Sequence, residues 1–228
     1  MRLGSEAPGP GAVRHPVFAR DYARVGAGAD ARLGFAGVRG RLLAGLSGRV
    51  IEVGAGNGPG FARCPAAVAR VVAVGPEPLL GRLARESARR APVPVDVVPG
   101  AAEALPVASG AFDAVVLSLV LCGVRDVARA LGEARRVLRP GGQVRFFEHG
   151  RGGGRAMRLT RRALDRTVWP ALAGGCHPAR DPVAALRCAG FALGPYRELT
   201  LPGGGPRLPA SYCVLGTAWR PDDGPGGR

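Results

Sequence analysis

At 228 residues with 46% hydrophobic side chains, the chain is long enough for one domain with a sizeable core and too apolar to be disordered throughout. Its net charge of +15 invites a nucleic-acid partner, but all 32 basic residues are Arg, and Ile51, Asn57 and Gln143 are each the only residue of their type. That is the profile of GC-rich codon usage, so the charge is read first as drift from Lys to Arg and only second as a polyanion-binding surface.

Residues 1–14 are rich in Gly, Pro and Ala without periodicity and read as a flexible N-terminus, with 221–228 as a similar tail and one domain over 15–220. Phe18 and Tyr22 lie in an amphipathic stretch ahead of the first strand, where they can pack or form a lid. Apolar runs at 49–53, 71–74, 93–97, 112–117 and 144–147 predict strands; 78–90 and 125–139 predict helices, the second with a stripe of Val127, Leu131, Ala134 and Leu138. The turn Arg139-Pro140-Gly141-Gly142 ends that helix and feeds the next strand. Beyond Gly150 come a linking Arg151–Arg155 segment, a helix over 156–172, a Gly-Cys-His-Pro turn, a helix over 182–189, and strands near Phe191 and Tyr212 that fit an antiparallel hairpin. Strands alternating with helices, most of them apolar on both faces, predict a doubly wound α/β fold with a mainly parallel, seven-stranded sheet.

The five cysteines, Cys64, Cys122, Cys176, Cys188 and Cys213, are scattered and contain no C-x-x-C pair, so neither a disulfide framework nor a metal site is expected. Cys122, just past the fourth strand, could serve as a nucleophile but reads first as a core residue of its apolar run. The N-terminus has no signal-peptide core, and the longest apolar stretch, 114–124, is too short to span a bilayer. A cytoplasmic protein is the expectation.

The first strand ends in Glu52 and enters Gly54-Ala55-Gly56-Asn57-Gly58, with a helix expected to follow; this places flexible backbone at the carboxyl edge of the sheet, where open α/β sheets bind ligands. A dinucleotide fingerprint needs Gly or Ala at position 59, which is Pro59, and a pyrophosphate sits poorly beside Glu52. A ligand carrying positive charge suits the carboxylate.

With Gly48 to Pro59, the segments Ala102 to Pro106, Phe112-Asp113, Leu117 to Cys122, Arg136 to Gly142 and Phe147-Glu148-His149 resemble class I S-adenosylmethionine-dependent methyltransferases. The closer resemblance is to the branch of quinone-ring C-methyltransferases and alkyl-thiol S-methyltransferases, the latter matching Gly175-Cys176-His177 and Arg180-Asp181 as well. It spans about residues 15 to 218 and implies a Rossmann-like fold and S-adenosyl-L-methionine as cofactor. It implies that Gly54, Gly56 and Gly58 approach the methionine half, that Glu52 organises its amine, that Ala102 and Glu103 lie at the adenine, and that Ser118 and Leu119 meet cofactor and acceptor. The acidic residue usual at the end of the second strand, which holds the ribose, is replaced by Gly75, and Glu77 is the candidate to reach back in its stead.

The resemblance implies methyl transfer to a small acceptor: a thiol, a hydroxyl or a quinone-type ring carbon. Departure of a neutral thioether needs no acid, so positioning and, for some nucleophiles, deprotonation suffice. Candidates for a base are His149, beside Glu148 at the end of the fifth strand, and His177; each has a plainer role, bonded to backbone or capping a turn, and Asp181 before Pro182 reads as an N-cap. A nucleic-acid methyltransferase is the alternative the charge suggests, although Leu117-Ser118-Leu119-Val120 lacks the Asp/Asn-Pro-Pro-aromatic motif of many exocyclic-amine methylases. A catalytically silent cofactor-binding module is the third reading.

Overall fold

Val50, Ile51 and Val53 are all buried in one short segment, as a strand covered on both faces requires. In the computed structural model, which describes residues 15–150, 152, 154–202 and 209–222, this segment is β1 (Gly48–Val53) at the middle of a seven-stranded sheet. Two helices, α1 (Pro16–Arg32) and α2 (Phe35–Leu43), precede it. There follow β2 (Val68–Gly75), α3 (Pro78–Ala88), β3 (Val95–Pro99), β4 (Phe112–Ser118), α4 (Val127–Val137), β5 (Leu138–His149), α5 (Arg155–Leu164), α6 (Trp169–Leu172), α7 (Pro182–Cys188), β6 (Ala192–Thr200) and β7 (Tyr212–Trp219). The strand order is β3-β2-β1-β4-β5-β7-β6, parallel except for β7, which runs antiparallel to both β5 and β6. The expected doubly wound sheet with a terminal hairpin is therefore present.

The period-two alternation of the strands divides the core. Ile51, Val53, Val115, Leu117, Val144 and Phe146 pack with Leu131 and Ala134 of α4 and Leu186 of α7. Val50, Ala114, Val116 and Phe147 pack with Val38, Leu42 and Leu43 of α2. The chain leaves β1 toward β2 on one side and returns as β4 on the other, so the crevice beyond their carboxyl ends is the switch point of the sheet.

Four local expectations are corrected. No α-helix follows the glycine loop; only a single tight turn, Phe61–Arg63, forms, because Pro59, Gly60 and Pro65 interrupt any longer run. The third strand starts at Val95, two residues late, since Pro94 has no N–H for the ladder. Arg139-Pro140-Gly141-Gly142 belongs to β5, where Gly141 N–H donates to the Arg220 carbonyl and Arg220 N–H to that of Gly142. The helix expected over 156–172 breaks after Leu164: the Thr167 hydroxyl bonds the Leu164 carbonyl at 2.7 Å and accepts from Trp169 N–H, and Pro170 has no donor to carry the helix on. Of the termini read as flexible, 1–14 and 221–228, all but Pro221 and Asp222 lie outside the described residues, as do Arg151 and Gly153 of the linking segment. Among the described residues no helix is long and apolar enough to cross a membrane.

Two glycines separate the effects of packing and propensity. A methyl group at Gly216 of β7 would collide with Tyr196 and come within 2.6 Å of the Phe146 ring, whereas one at Gly132 of α4 meets nothing within 4 Å. Gly216→Ala is expected to lower stability by roughly 1–3 kcal/mol. Gly132→Ala should raise it by up to about 1 kcal/mol. Urea denaturation of both variants checks the pair.

Candidate functional site

A cleft of ≈ 1410 Å³ opens at the switch point. Glu52, Gly54, Gly56, Glu77, Ala102, Glu103, Ser118 and Leu119 line it, so every predicted cofactor-binding residue but one is brought to a single space. The exception is Gly58, which is buried away from the lining with φ +76°; a methyl group there would drive into the Phe61 ring, so its role is to shape the turn. Gly56, with φ +57°, does face the cleft, and a methyl group added there would stand 3.5 Å from the Tyr22 ring. Phe18 and Tyr22 of α1, stacked at 5.7 Å, line the cleft from the other side, and Phe18 rests against Gly174.

Glu52 is only 6% exposed, and burial pushes its carboxyl up to about 7, opposed in part by Arg39. Gly75 leaves open space where an acidic side chain would stand. Glu77 lies at the rim, but one of its oxygens accepts the His15 N–H at the start of α1, which leaves the other for a ligand. The Glu103 carboxylate accepts from Arg125 N–H at 2.8 Å and Asp126 N–H at 3.4 Å, so it organises the approach to α4. The Ser118 hydroxyl is buried without a hydrogen-bond partner. Leu119 holds a left-handed backbone, φ 57°, with its N–H on the Phe147 carbonyl at 2.7 Å.

Glu148, 1% exposed, supports that turn: one oxygen accepts from Val120 N–H at 2.9 Å and Leu121 N–H at 3.1 Å, and the other has no partner. Burial raises its carboxyl to about 7 against the pull of those two bonds and of His149. Neither His149 nor His177 lines the cleft. His149 Nδ1 lies 3.4 Å from Cys176 Sγ, and His177 Nδ1 lies 4.0 Å from the Asp165 carboxylate. Asp181 caps α7 through Ala184 N–H at 3.0 Å, as its position before Pro182 predicts.

The structure adds a grouping that spacing along the chain does not show. Cys122 is no isolated core thiol: it stands with His149 and Cys176, their ligand atoms all within 4.8 Å of one another. The hydrogen bond from Cys122 lowers the Cys176 thiol pKa, and the same contact with burial raises that of Cys122. The three residues lie 27 positions or more from one another in sequence; each is marked separately, Cys122 as core, His149 as a candidate base and Cys176 by the Gly-Cys-His match, but nothing in the sequence joins them.

Residues 51–146 match the family model described as a methyltransferase domain. The human thiol S-methyltransferase TMT1A is 34% identical over 155 residues, which cover 66% of this chain and 63% of that protein. The chain thus aligns with less than two thirds of the length of such relatives. The demethylmenaquinone methyltransferase of Renibacterium salmoninarum is 40% identical over 103 residues, 44% of this chain and 42% of its own. Among solved structures, an S-adenosylmethionine-dependent methyltransferase of Aquifex aeolicus superposes with a TM-score of 0.62 at 14% identity, covering 89% of this chain and 98% of that one. The cyclase SpnF superposes with 0.63 at 18% identity, covering 95% and 100%. At such identities the likeness is one of fold, and a cyclase among the neighbours keeps fold and reaction separate.

The acidity of Glu52 has a stability consequence. Its folded-state value, about 7, lies above the usual 4.5, so the folded chain holds a proton that the unfolded chain releases between these values. This contribution is fully present below pH 4.5 and is lost as pH rises through 7. Glu52→Gln keeps the neutral form at every pH and should exceed the parent in stability at pH 8 by up to about 3 kcal/mol, the gap closing toward pH 4.5. Denaturant midpoints across that pH range test it.

Proposed function

We propose that this chain, which belongs to the class I S-adenosylmethionine-dependent methyltransferases, binds S-adenosylmethionine in the cleft and methylates a small-molecule thiol. The observation that carries the reading is a buried carboxylate, Glu52, facing a left-handed glycine turn at the switch point of the sheet. The residues fit such a ligand. Bare backbone at Gly56 admits close approach, the unpartnered Ser118 hydroxyl offers a polar contact, and Glu52 offers negative charge to an ammonium group. The cleft volume, ≈ 1410 Å³, exceeds the roughly 300–1,000 Å³ of a typical ligand pocket and leaves space for an acceptor.

When bound, S-adenosylmethionine supplies an electrophilic methyl group on a sulfonium that departs as a neutral thioether, so no acid is required. Glu52 anchors the charged end, the left-handed turn at Leu119 presents backbone to the acceptor side, and Phe18 and Tyr22 cover the opening against water. A thiol is favoured as acceptor because the relative matched over the greater share of the chain is a thiol S-methyltransferase. A thiol of pKa about 8.5 is already a few per cent thiolate at neutral pH, so it asks little of a base.

Titration calorimetry should show S-adenosylmethionine and its demethylated product binding, and a nicotinamide dinucleotide not binding. Gly56→Val, which forces a branched side chain into a left-handed position beside Tyr22, should abolish binding while circular dichroism stays unchanged. Incubation with labelled cofactor and, separately, a small alkyl thiol, a quinol and RNA should label the thiol foremost. Undiminished affinity in a folded Gly56→Val variant rejects the assigned loop, and preferential labelling of RNA or the quinol rejects the acceptor.

A further inference from the structure

Cys122, His149 and Cys176 come from three separate segments, the turn after β4, the end of β5 and the loop after α6, and meet on the cleft side of the sheet. The segments are tied together before any ligand arrives. His177 N–H donates to the Cys122 carbonyl at 2.8 Å, joining the two cysteine loops. The Arg180 guanidinium holds the carbonyls of Leu121, Cys122 and Val124 at 2.7, 3.1 and 2.6 Å. His149 is fixed by its pairing with Cys213 in β7.

The spacing suits a metal. Bonds of about 2.3 Å to sulfur and about 2.0 Å to nitrogen in a tetrahedron put a sulfur and a nitrogen ligand about 3.5 Å apart and two sulfurs about 3.8 Å apart. Cys176 Sγ and His149 Nδ1 are 3.4 Å apart, and all three ligand atoms lie within 4.8 Å of one another. Small shifts therefore bring the trio to bonding geometry. Both cysteines are nearly buried while His149 is half-exposed, which leaves an approach from solvent. Glu148, Arg180 and Arg161 are charged or titratable neighbours of the group; Arg180 is held by its three carbonyls, and Arg161 bonds the Gly150 and Pro209 carbonyls.

We propose that Cys122, His149 and Cys176 form a three-ligand site for a thiophilic divalent cation of the zinc class, with its fourth coordination position open. Two thiolates and an imidazole with one open position are the ligand set of a catalytic rather than a closed structural zinc site. The site adjoins the cleft, since Val120, Gly123 and Gly174, each within two residues of a cysteine ligand, line it. Resting on the reading of the cleft as a thiol methyltransferase site, the open position takes the acceptor thiol: the metal–sulfur bond forms as the S–H bond breaks, and the proton passes to solvent.

Co2+ is the probe. Added to the fully reduced protein without cofactor or acceptor, it should give thiolate-to-metal charge transfer in the near ultraviolet and the intense visible bands of a four-coordinate ion, both bleached by Zn2+. Cys122→Ser, Cys176→Ser and His149→Ala should each weaken Co2+ binding by more than the roughly 10- to 100-fold typical of losing an outer-shell partner. Cys188→Ser, at an exposed position, should leave it unchanged. Zn2+ should also shield Cys122 and Cys176 of the unmutated protein from iodoacetamide, read by peptide mass spectrometry, which needs no variant to fold. A small alkyl thiol should shift the charge-transfer band. Reduced protein that shows neither Co2+ bands nor Zn2+ shielding overturns the site, as does a Cys122–Cys176 disulfide forming in air with no metal bands after reduction. Bands that ignore added thiol overturn the open position. Because these readouts contain no S-adenosylmethionine, they stand or fall separately from the methyl-transfer reading.

Discussion

Near the end of β5, Glu148 takes the N–H groups of Val120 and Leu121 on its carboxylate, and the shape of the cleft wall at Ser118 to Val120 follows from that pairing. Without it, two buried amide donors would be left unpaired at a cost of about 1–3 kcal/mol each. Leu119, directly before them, would also have less to hold it in a left-handed conformation that costs an L-residue about 1–2 kcal/mol. The turn in question carries Ser118 and Leu119 on one side and Cys122 on the other. One buried acid thus sets the cleft wall and the cysteine–histidine group together.

Two acids that burial makes reluctant to ionise, Glu52 and Glu148, stand at the ends of β1 and β5 and divide the work. Glu148 is occupied by backbone and is structural for the turn. Glu52 faces the cleft, with Arg39 as the positive charge that partly offsets its burial. A cationic ligand arriving there would relieve a cost the folded chain already carries, which is how a binding site and a stability deficit come to share one residue.

The central strands were legible in the sequence because Val50, Ile51 and Val53, and Ala114 to Leu117, put apolar residues on both faces. The cleft lining was legible for a related reason: switch-point ligands meet strand ends, and Glu52, Gly54, Ser118 and Leu119 follow directly from where β1 and β4 stop. Helix ends were less so. The break after Leu164 depends on the Thr167 hydroxyl competing for a backbone carbonyl, a local choice with no periodic signature. Gly58 lies off the cleft lining, and its glycine alone could not tell a left-handed turn from close approach to a bound molecule, since both select that residue. The Cys122, His149 and Cys176 grouping was invisible to spacing, since parallel strands joined by crossovers bring distant segments to one edge.

The single tight turn after the glycine loop, in place of an α-helix, bears on charge selection. A helix beginning at the mouth of the cleft would aim a macrodipole at the ligand, equivalent to roughly half a positive elementary charge. That field draws in phosphates and repels an ammonium or a sulfonium. By breaking the helix, Pro59, Gly60 and Pro65 withhold it at the end of β1, where Glu52 and Arg39 are the charged neighbours. The breaking residues, of which Pro59 itself lines the cleft, thereby leave the end of β1 without the field that favours phosphates.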